Sequence, residues 1–442
     1  MPRTNPIDRR IIALGIPALG TLAVEPLYRL VDTAIVGRLG TDQLAGLAVA
    51  AAVLALVVAG SNFLTYGTTQ RVASRLGAGE PASAADVGVQ AIWLSMFVAV
   101  VAVPALVFGA QPMASLLGAE GEVLRHAVEY LQISAFGVPF VLLTLAVQGM
   151  QRGASDYRTP LVILVLSNVA NLVIELVLVL GFDMGIAGAA WSTVIAQTGA
   201  GIAFIVVIRP RLVPARHRRP NWTEMAPLLT AGRHLLLRVG SMLAVFTGAT
   251  AIAARVDDST LASHQVAMTM FLFLALVLDA LSVPAQTLVA EDLGNGGGQA
   301  RLIGDRVFLL SFLAAAAIAV ILALLSPVLP HVFSNDGAVL DRATPALLFL
   351  AALLLPGAVA FAGDGILIGA GDYRFLGVAA FGYLVAVVPI AIAVLAVPSI
   401  GIAGIWIGLI VWMLLRAVVN HRRVRRVLPS VATRPEQLPL RG

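Results

Sequence analysis

Cysteine is absent from the 442 residues, and so is lysine. Without cysteine there is no disulfide and no thiolate metal site. Without lysine there is no Gly-rich phosphate loop ending in Lys, so the usual motor for ATP-driven work is missing. Charge is scarce: 12% of residues are charged, where a soluble domain carries about 25%. Aromatic residues make up only 6%. What is present is apolar, with 59% hydrophobic residues and a mean hydropathy of +0.93. Such a chain cannot cover itself with polar side chains. Composition therefore predicts an integral membrane protein. The length leaves room for about a dozen spans of roughly 20–25 residues and for no large soluble domain.

The chain also contains itself twice. Gly149-Met-Gln-Arg-Gly-Ala-Ser-Asp-Tyr-Arg158 recurs as Gly365-Ile-Leu-Ile-Gly-Ala-Gly-Asp-Tyr-Arg374, an offset of 216 (372 − 156 for the shared Asp). Gly185-Ile-Ala-Gly188 recurs as Gly401-Ile-Ala-Gly404 at the same offset. Val72–Gly79 is echoed by Val289–Gly296 at 217 (294 − 77). Two copies running in the same direction within an apolar chain suit a transporter, whose substrate path lies between repeats.

Hydropathy places spans near 9–37, 43–70, 85–109, 121–149, 160–181 and 186–208, then near 227–254, 260–290, 303–327, 342–370, 375–397 and 401–419. The expected fold is all-α, with twelve transmembrane helices in two pseudo-symmetric six-helix lobes. Residues 1–208 form the N-lobe and 227–420 the C-lobe. Between them, 209–226 is a basic linker, and 421–442 is a basic tail. Arg9 and Arg10 before an apolar run resemble a signal peptide, but Glu25 and Asp32 interrupt the run and no cleavage site follows. It reads as a retained first span. Arginines crowd one side (Arg3, Arg9, Arg10, Arg71, Arg75, Arg152, Arg158, the linker, Arg301, Arg306, Arg374, Arg422, Arg423, Arg425 and Arg426), and only scattered ones, Arg38, Arg125, Arg255 and Arg342, fall on the other. Both termini are therefore expected in the cytoplasm, in the plasma membrane of the cell. The basic tail is juxtamembrane and short, which points to anionic lipid and not to nucleic acid.

Chemistry inside the spans rests on few ionisable groups. A carboxylate at the bilayer centre costs about 2.5–3.5 kcal/mol, so its placement needs a reason. Asp32 lies in the first span, with Tyr28 one turn and Glu25 two turns before it on one face. Pro26 between them is expected to kink the helix and act as a hinge. In the fifth span Asn168, Asn171 and Glu175 share a face. The sixth span adds Trp191, Ser192, Thr193 and Gln197. These oxygens suit a proton network or a desolvated small cation. Glu25, Pro26, Tyr28, Asn168 and Gln197 are candidates for a substrate cavity or hinge. Asp279 and Asp364 are lower-ranked carboxylates of the second half. His331 and Asp336 have His-x4-Asp spacing but stand alone in a loop, and the six histidines are scattered, so no enzyme is expected.

Three strings carry a family resemblance. Pro26-Leu-Tyr-Arg-Leu-Val-Asp32-Thr-Ala-Ile-Val-Gly-Arg-Leu-Gly40, Leu278-Asp279-Ala-Leu-Ser-Val-Pro-Ala-Gln286-Thr-Leu-Val-Ala290 and Asp364-Gly-Ile-Leu-Ile-Gly-Ala-Gly-Asp372 resemble signatures of the MATE (multidrug and toxic compound extrusion) family, in its DinF-like branch. The resemblance covers residues 9–420. It implies an antiporter that exports substrates against an inward cation flow by alternating access. It also implies an N-lobe ion-coupling site at Asp32, Asn171, Glu175 and Thr193. The family often has Asp where this chain has Glu175, and the longer arm favours H+ over Na+ as coupling ion. The expected partners are small organic substrates, of which organic cations suit the carboxylates, and membrane lipid. No cofactor or metal is expected, and a monomer suffices because two repeats complete a path. The alternatives are a lipid-precursor flippase, which calls for extra spans and a strongly cationic cavity, and a membrane-embedded enzyme.

Overall fold

The computed structural model describes residues 5–429. Fourteen α-helices carry almost all of them: α1 (Pro6–Val36), α2 (Thr41–Ser61), α3 (Phe63–Gly77), α4 (Pro81–Leu116), α5 (Gly121–Ser134), α6 (Val138–Gly153), α7 (Arg158–Leu176), α8 (Gly185–Leu212), α9 (Trp222–Val256), α10 (Asp258–Gly294), α11 (Ala300–Leu325), α12 (Gly337–Gly369), α13 (Tyr373–Ala396) and α14 (Gly401–Val427). α2 and α3 run on as one long segment. Eleven segments are long and apolar enough to cross a membrane, and the pair α5 and α6, bent by 55°, makes the twelfth. The twelve expected spans are thus found in their expected places.

The bend in the fourth span has a local cause. Pro139, in the first turn of α6, has no N–H to offer the Ala135 carbonyl, which weakens the helical ladder at the turn Ala135–Gly137. Gly137 leaves space for the Gln197 amide, whose oxygen would collide with a Cβ at that position. Phe136 and Trp191 stack beside it, with centroids 6.1 Å apart.

The described chain divides into two compact units. One comprises Ile16–Leu76 and Glu80–Leu236; the other takes the chain before Ile16, Gly77–Gly79 and the chain from Leu237 on. The first turns of α1 go with the second unit because ion pairs hold them there. Asp8 is bonded by both arms of Arg306, and Arg10 pairs with Glu291 at 2.7 Å.

The same packing device is built once in each unit, and it explains the repeated glycines. In the first unit a Cβ on Gly149 would lie 2.7 Å from the Thr65 carbonyl oxygen, and one on Gly153 2.8 Å from that of Thr69. In the second unit a Cβ on Gly369 would lie 2.6 Å from the Gln286 carbonyl oxygen, and Gly365 stands closer still to that of Ser282. Each crossing is tied by a matching hydroxyl: Thr65 donates to the Leu145 carbonyl (2.9 Å) and Ser282 to that of Phe361 (2.8 Å). Close backbone approach through small residues is how helices associate where lipid offers no hydrophobic drive.

The repeat also exposes one strained residue. Gly371 adopts a left-handed φ of 73°, whereas its counterpart Ser155 holds φ 58° with a side chain. An L-residue pays about 1–2 kcal/mol there, and glycine's extra backbone entropy offsets part of the gain. Ser155→Gly is therefore expected to raise stability by about 0.5–1 kcal/mol, read as a higher melting temperature of the purified protein. A lower melting temperature would refute the strain.

The basic linker is clamped rather than loose. The buried Gln90 on α4 donates to the carbonyls of His217 (3.3 Å) and Arg219 (3.0 Å) and accepts from the Asn221 N–H at 2.8 Å. Asp86 accepts from the backbone N–H groups of Arg216 and His217 at 2.7 and 2.8 Å. Of the expected tail, Arg422–Arg426 lie in α14, with Arg423 paired to Asp372 at 2.7 Å. The remainder beyond residue 429 lies outside the described residues, as does Arg3.

Candidate functional site

The first unit brings four helices to one buried cluster. Tyr28 and Asp32 stand one turn apart near the end of α1, Asn171 and Glu175 one turn apart near the end of α7, Thr193 faces them from α8, and Tyr130 adds a buried ring from α5. The i,i+4 spacing aligns each pair on one helical face.

The hydrogen bonds run in one direction. The Asn171 amide donates to the Tyr28 hydroxyl (2.8 Å) and to the Thr193 hydroxyl (3.4 Å). Thr193 spends its own proton on the Ala189 carbonyl at 3.0 Å. Tyr28 donates to Asp32 at 3.3 Å, and its oxygen also lies 3.3 Å from that of Thr193. A donor chain therefore ends on the Asp32 carboxyl.

Glu175 is the anomaly. It has no exposed surface, and neither of its oxygens has a hydrogen-bond partner among the described residues. The carbonyl oxygen of the Asn171 amide is likewise buried and unpartnered. Asp32 and Glu175 are close enough to interact, yet no hydrogen bond of normal geometry joins them. Burying an unpartnered polar group costs a few kcal/mol, and an unpaired charge costs far more. Three orphaned acceptors beside a second carboxyl are a donor set that suits a proton or a small cation. Immediately beyond Glu175, residues Val177–Gly181 form a π-helical turn, with the Phe182 N–H on the Val177 carbonyl at 3.0 Å. Such turns often accompany functional sites.

Asp32, Asn171, Glu175 and Thr193, expected as one site, lie in this cluster with Tyr28. Glu25 does not join them. It is exposed and pairs with Arg29 at 2.6 Å. The helical face shared by Glu25 and Asp32 ends at the exposed stretch Glu25-Pro26-Leu27, where α1 has little around it. Pro26 leaves α1 helical throughout, without a break in the backbone. Asn168 is half-buried one turn before Asn171 and makes no side-chain hydrogen bond among the described residues. Gln197 packs at the α5–α6 bend.

In the second unit Asp279 is half-buried on α10. Asp364 is buried on α12 and strongly held. It accepts from Arg416 (2.8 Å), from Asn420 (2.6 Å) and from Arg238. Arg416 also lies 4.6 Å from the Trp412 ring centre. Asp336, half of the His-x4-Asp pair, caps α12 by accepting from the Ala338 N–H at 2.8 Å.

Sequence reasoning passed over Tyr130, Arg238 and Arg416. A tyrosine in a membrane helix carries no distinctive signal. The arginines did carry one: each sits deep in a span, where its insertion cost demands a partner.

The MatE family model matches residues 17–177 and 239–395, and the chain belongs to that family. It is 31% identical to Protein DETOXIFICATION 44, chloroplastic, of Arabidopsis thaliana, over 96% of this chain and 83% of that protein. It is 26% identical to DNA damage-inducible protein F of Escherichia coli (strain K12), over 93% of this chain and 90% of that one. A crystal structure of MATE in the bent conformation superposes with a TM-score of 0.89 at 20% identity, covering 96% of both chains, which shows a shared fold. The chain is a multi-pass membrane protein of a transporter family and not an enzyme.

Proposed function

We propose that this protein is an efflux antiporter that moves small organic compounds out of the cytoplasm in exchange for protons, by alternating access, with Asp32 as the coupling carboxyl. The observation that carries this reading is Glu175, buried with both oxygens unpartnered beside Asp32 at the end of a donor chain. A proton taken up at this pair removes one buried charge, and its release restores it. Protonation loosens what Tyr28 and Asn171 hold, and α1 yields at its exposed Glu25-Pro26-Leu27 stretch. That changes the space available to substrate on the side of α1. The lobes are residues 1–208 and 227–420, joined by the linker 209–226, with both termini cytoplasmic in the plasma membrane and the monomer as working unit.

Sodium is the second reading, favoured by the same three orphaned oxygens, which suit a hard cation. One experiment separates the two. Inside-out vesicles carry a pH-sensitive dye and an imposed proton gradient, and a panel of cationic and anionic compounds is added with and without sodium. Substrate-induced proton movement without sodium is the expected result. Movement driven only by a sodium gradient makes the cluster a cation cage, and silence toward both ions rules out cation-coupled antiport of these compounds.

A further inference from the structure

The two copies in this chain invite a question that neither answers alone: what occupies, in the second half, the position of the carboxyl cluster in the first? The sequence aligns them without ambiguity. Ala34-Ile35, Arg38 and Leu44-Ala45 match Ala251-Ile252, Arg255 and Leu261-Ala262 at an offset of 217 (251 − 34). That register places Tyr28 on Val245 and Asp32 on Ala249. The repeats 149–158 and 185–188 fix the later helices at 216. They place Asn171 on Val387, Glu175 on Ala391 and Thr193 on Leu409. Every polar group of the cluster has an aliphatic residue as its counterpart.

These five counterparts line a single cavity of about 240 Å³ between α9, α13 and α14. All of its lining residues are Gly, Ala, Val, Leu or Ile. Small residues leave the volume: Gly248 and Ala249 from α9 and Ala391 from α13, while Gly404 and Gly408 let α14 pack closely against Val394 and Ile390 of α13. No atom lies within 4 Å of where a Cβ on Gly248 would sit. The exposed Ala244 and Val388 leave an opening between α9 and α13.

We infer that this cavity is a binding site for an uncharged ring-sized hydrophobic group of a small organic compound, the apolar counterpart of the ionic site in the first half. An aliphatic lining offers water few hydrogen-bond partners and favours an apolar occupant. A smaller cavity, about 150 Å³, accepts benzene in a soluble protein. The space, open on one side between α9 and α13, recurs at the repeat position of the candidate site in the first half. The inference does not depend on proton coupling, because it concerns occupancy of the second unit alone.

The test uses the full-length protein in lipid nanodiscs with a photoactivatable phenyl diazirine, followed by peptide mapping. The expected result is saturable labelling at cavity residues of α9, α13 and α14 that toluene displaces. In Gly248→Leu, which fills the cavity where there is room for the new side chain, labelling at those residues falls to that of the surrounding lipid-facing helix surface. Labelling that rises in proportion to probe and resists toluene means that lipid acyl chains fill the space, and overturns the inference. Undiminished labelling in Gly248→Leu overturns it as well. Proton movement in the vesicle assay reports on the first unit separately, so either reading can fail without the other.

Discussion

Asp32→Asn is expected to reduce substrate-induced proton movement to that of protein-free vesicles while the protein still reaches the membrane. The reason lies in what the substitution keeps. The amide that replaces the carboxyl retains an oxygen able to accept from Tyr28, which now donates at 3.3 Å, so packing at the end of α1 survives. What disappears is the group that can bind and release a proton. Glu175 remains, but it lies outside the donor chain and has lost its partner carboxyl. Tyr28→Phe gives a graded contrast. It removes the acceptor of the Asn171 amide and the donor to Asp32 and leaves both carboxyls, a loss of about 1 kcal/mol per hydrogen bond. Proton movement is expected to weaken in that variant and not to vanish. Wild-type proton movement from Asp32→Asn would remove Asp32 from the coupling role.

The second large effect is structural. Asp364→Ala is expected to destabilise the protein by about 3–5 kcal/mol, because removing one partner of a buried ion pair strands the other. The side chain of Arg416 is only 3% exposed, and Asp364 is the carboxylate it bonds at 2.8 Å. Asn420 loses its acceptor at the same time. The measurement is the melting temperature and yield of purified protein. Replacing the pair together, as Asp364→Leu with Arg416→Met, is expected to recover only part of the loss, because it removes the Arg416 charge but still takes the Asp364 carboxylate away from Arg238 and Asn420. A melting curve for Asp364→Ala that overlays wild type would mean that another group neutralises Arg416. The clasp joins α12 to α14 and to Arg238 of α9. These bonds commit Asp364 to holding helices together, a different situation from that of Glu175.

The contrast between the two carboxylates shows where sequence reasoning ran out. Each is a single acidic residue in an apolar run, and hydropathy treats them alike. Asp364 is satisfied by arginines 126 and 52 positions away, and Glu175 is satisfied by nothing among the described residues. Glu25 shows the limit of periodicity. Its spacing from Asp32 is right for one face, yet its partner is Arg29 on its own helix. The π-helical turn after Glu175 was equally hidden, since it depends on how neighbouring helices crowd the chain, whereas the 55° bend in the fourth span had a local signal in Pro139 that hydropathy passes over. Asn171 with Glu175, by contrast, was legible, because helical geometry alone aligns residues four apart.

The sequence by itself determined the solvent, the number of spans, the duplication and the pairs that share a helical face. These are local or additive properties: a run too apolar for water, a glycine recurring at a fixed offset, a 3.6-residue turn. Tertiary structure alone decided which buried charge is paired and which is left open. It also decided which glycines are crossing points, and that an apolar cavity stands where the other half has its carboxyls. Those outcomes belong to side chains brought together from distant positions, and their free energies depend on neighbours that no local window of the chain contains.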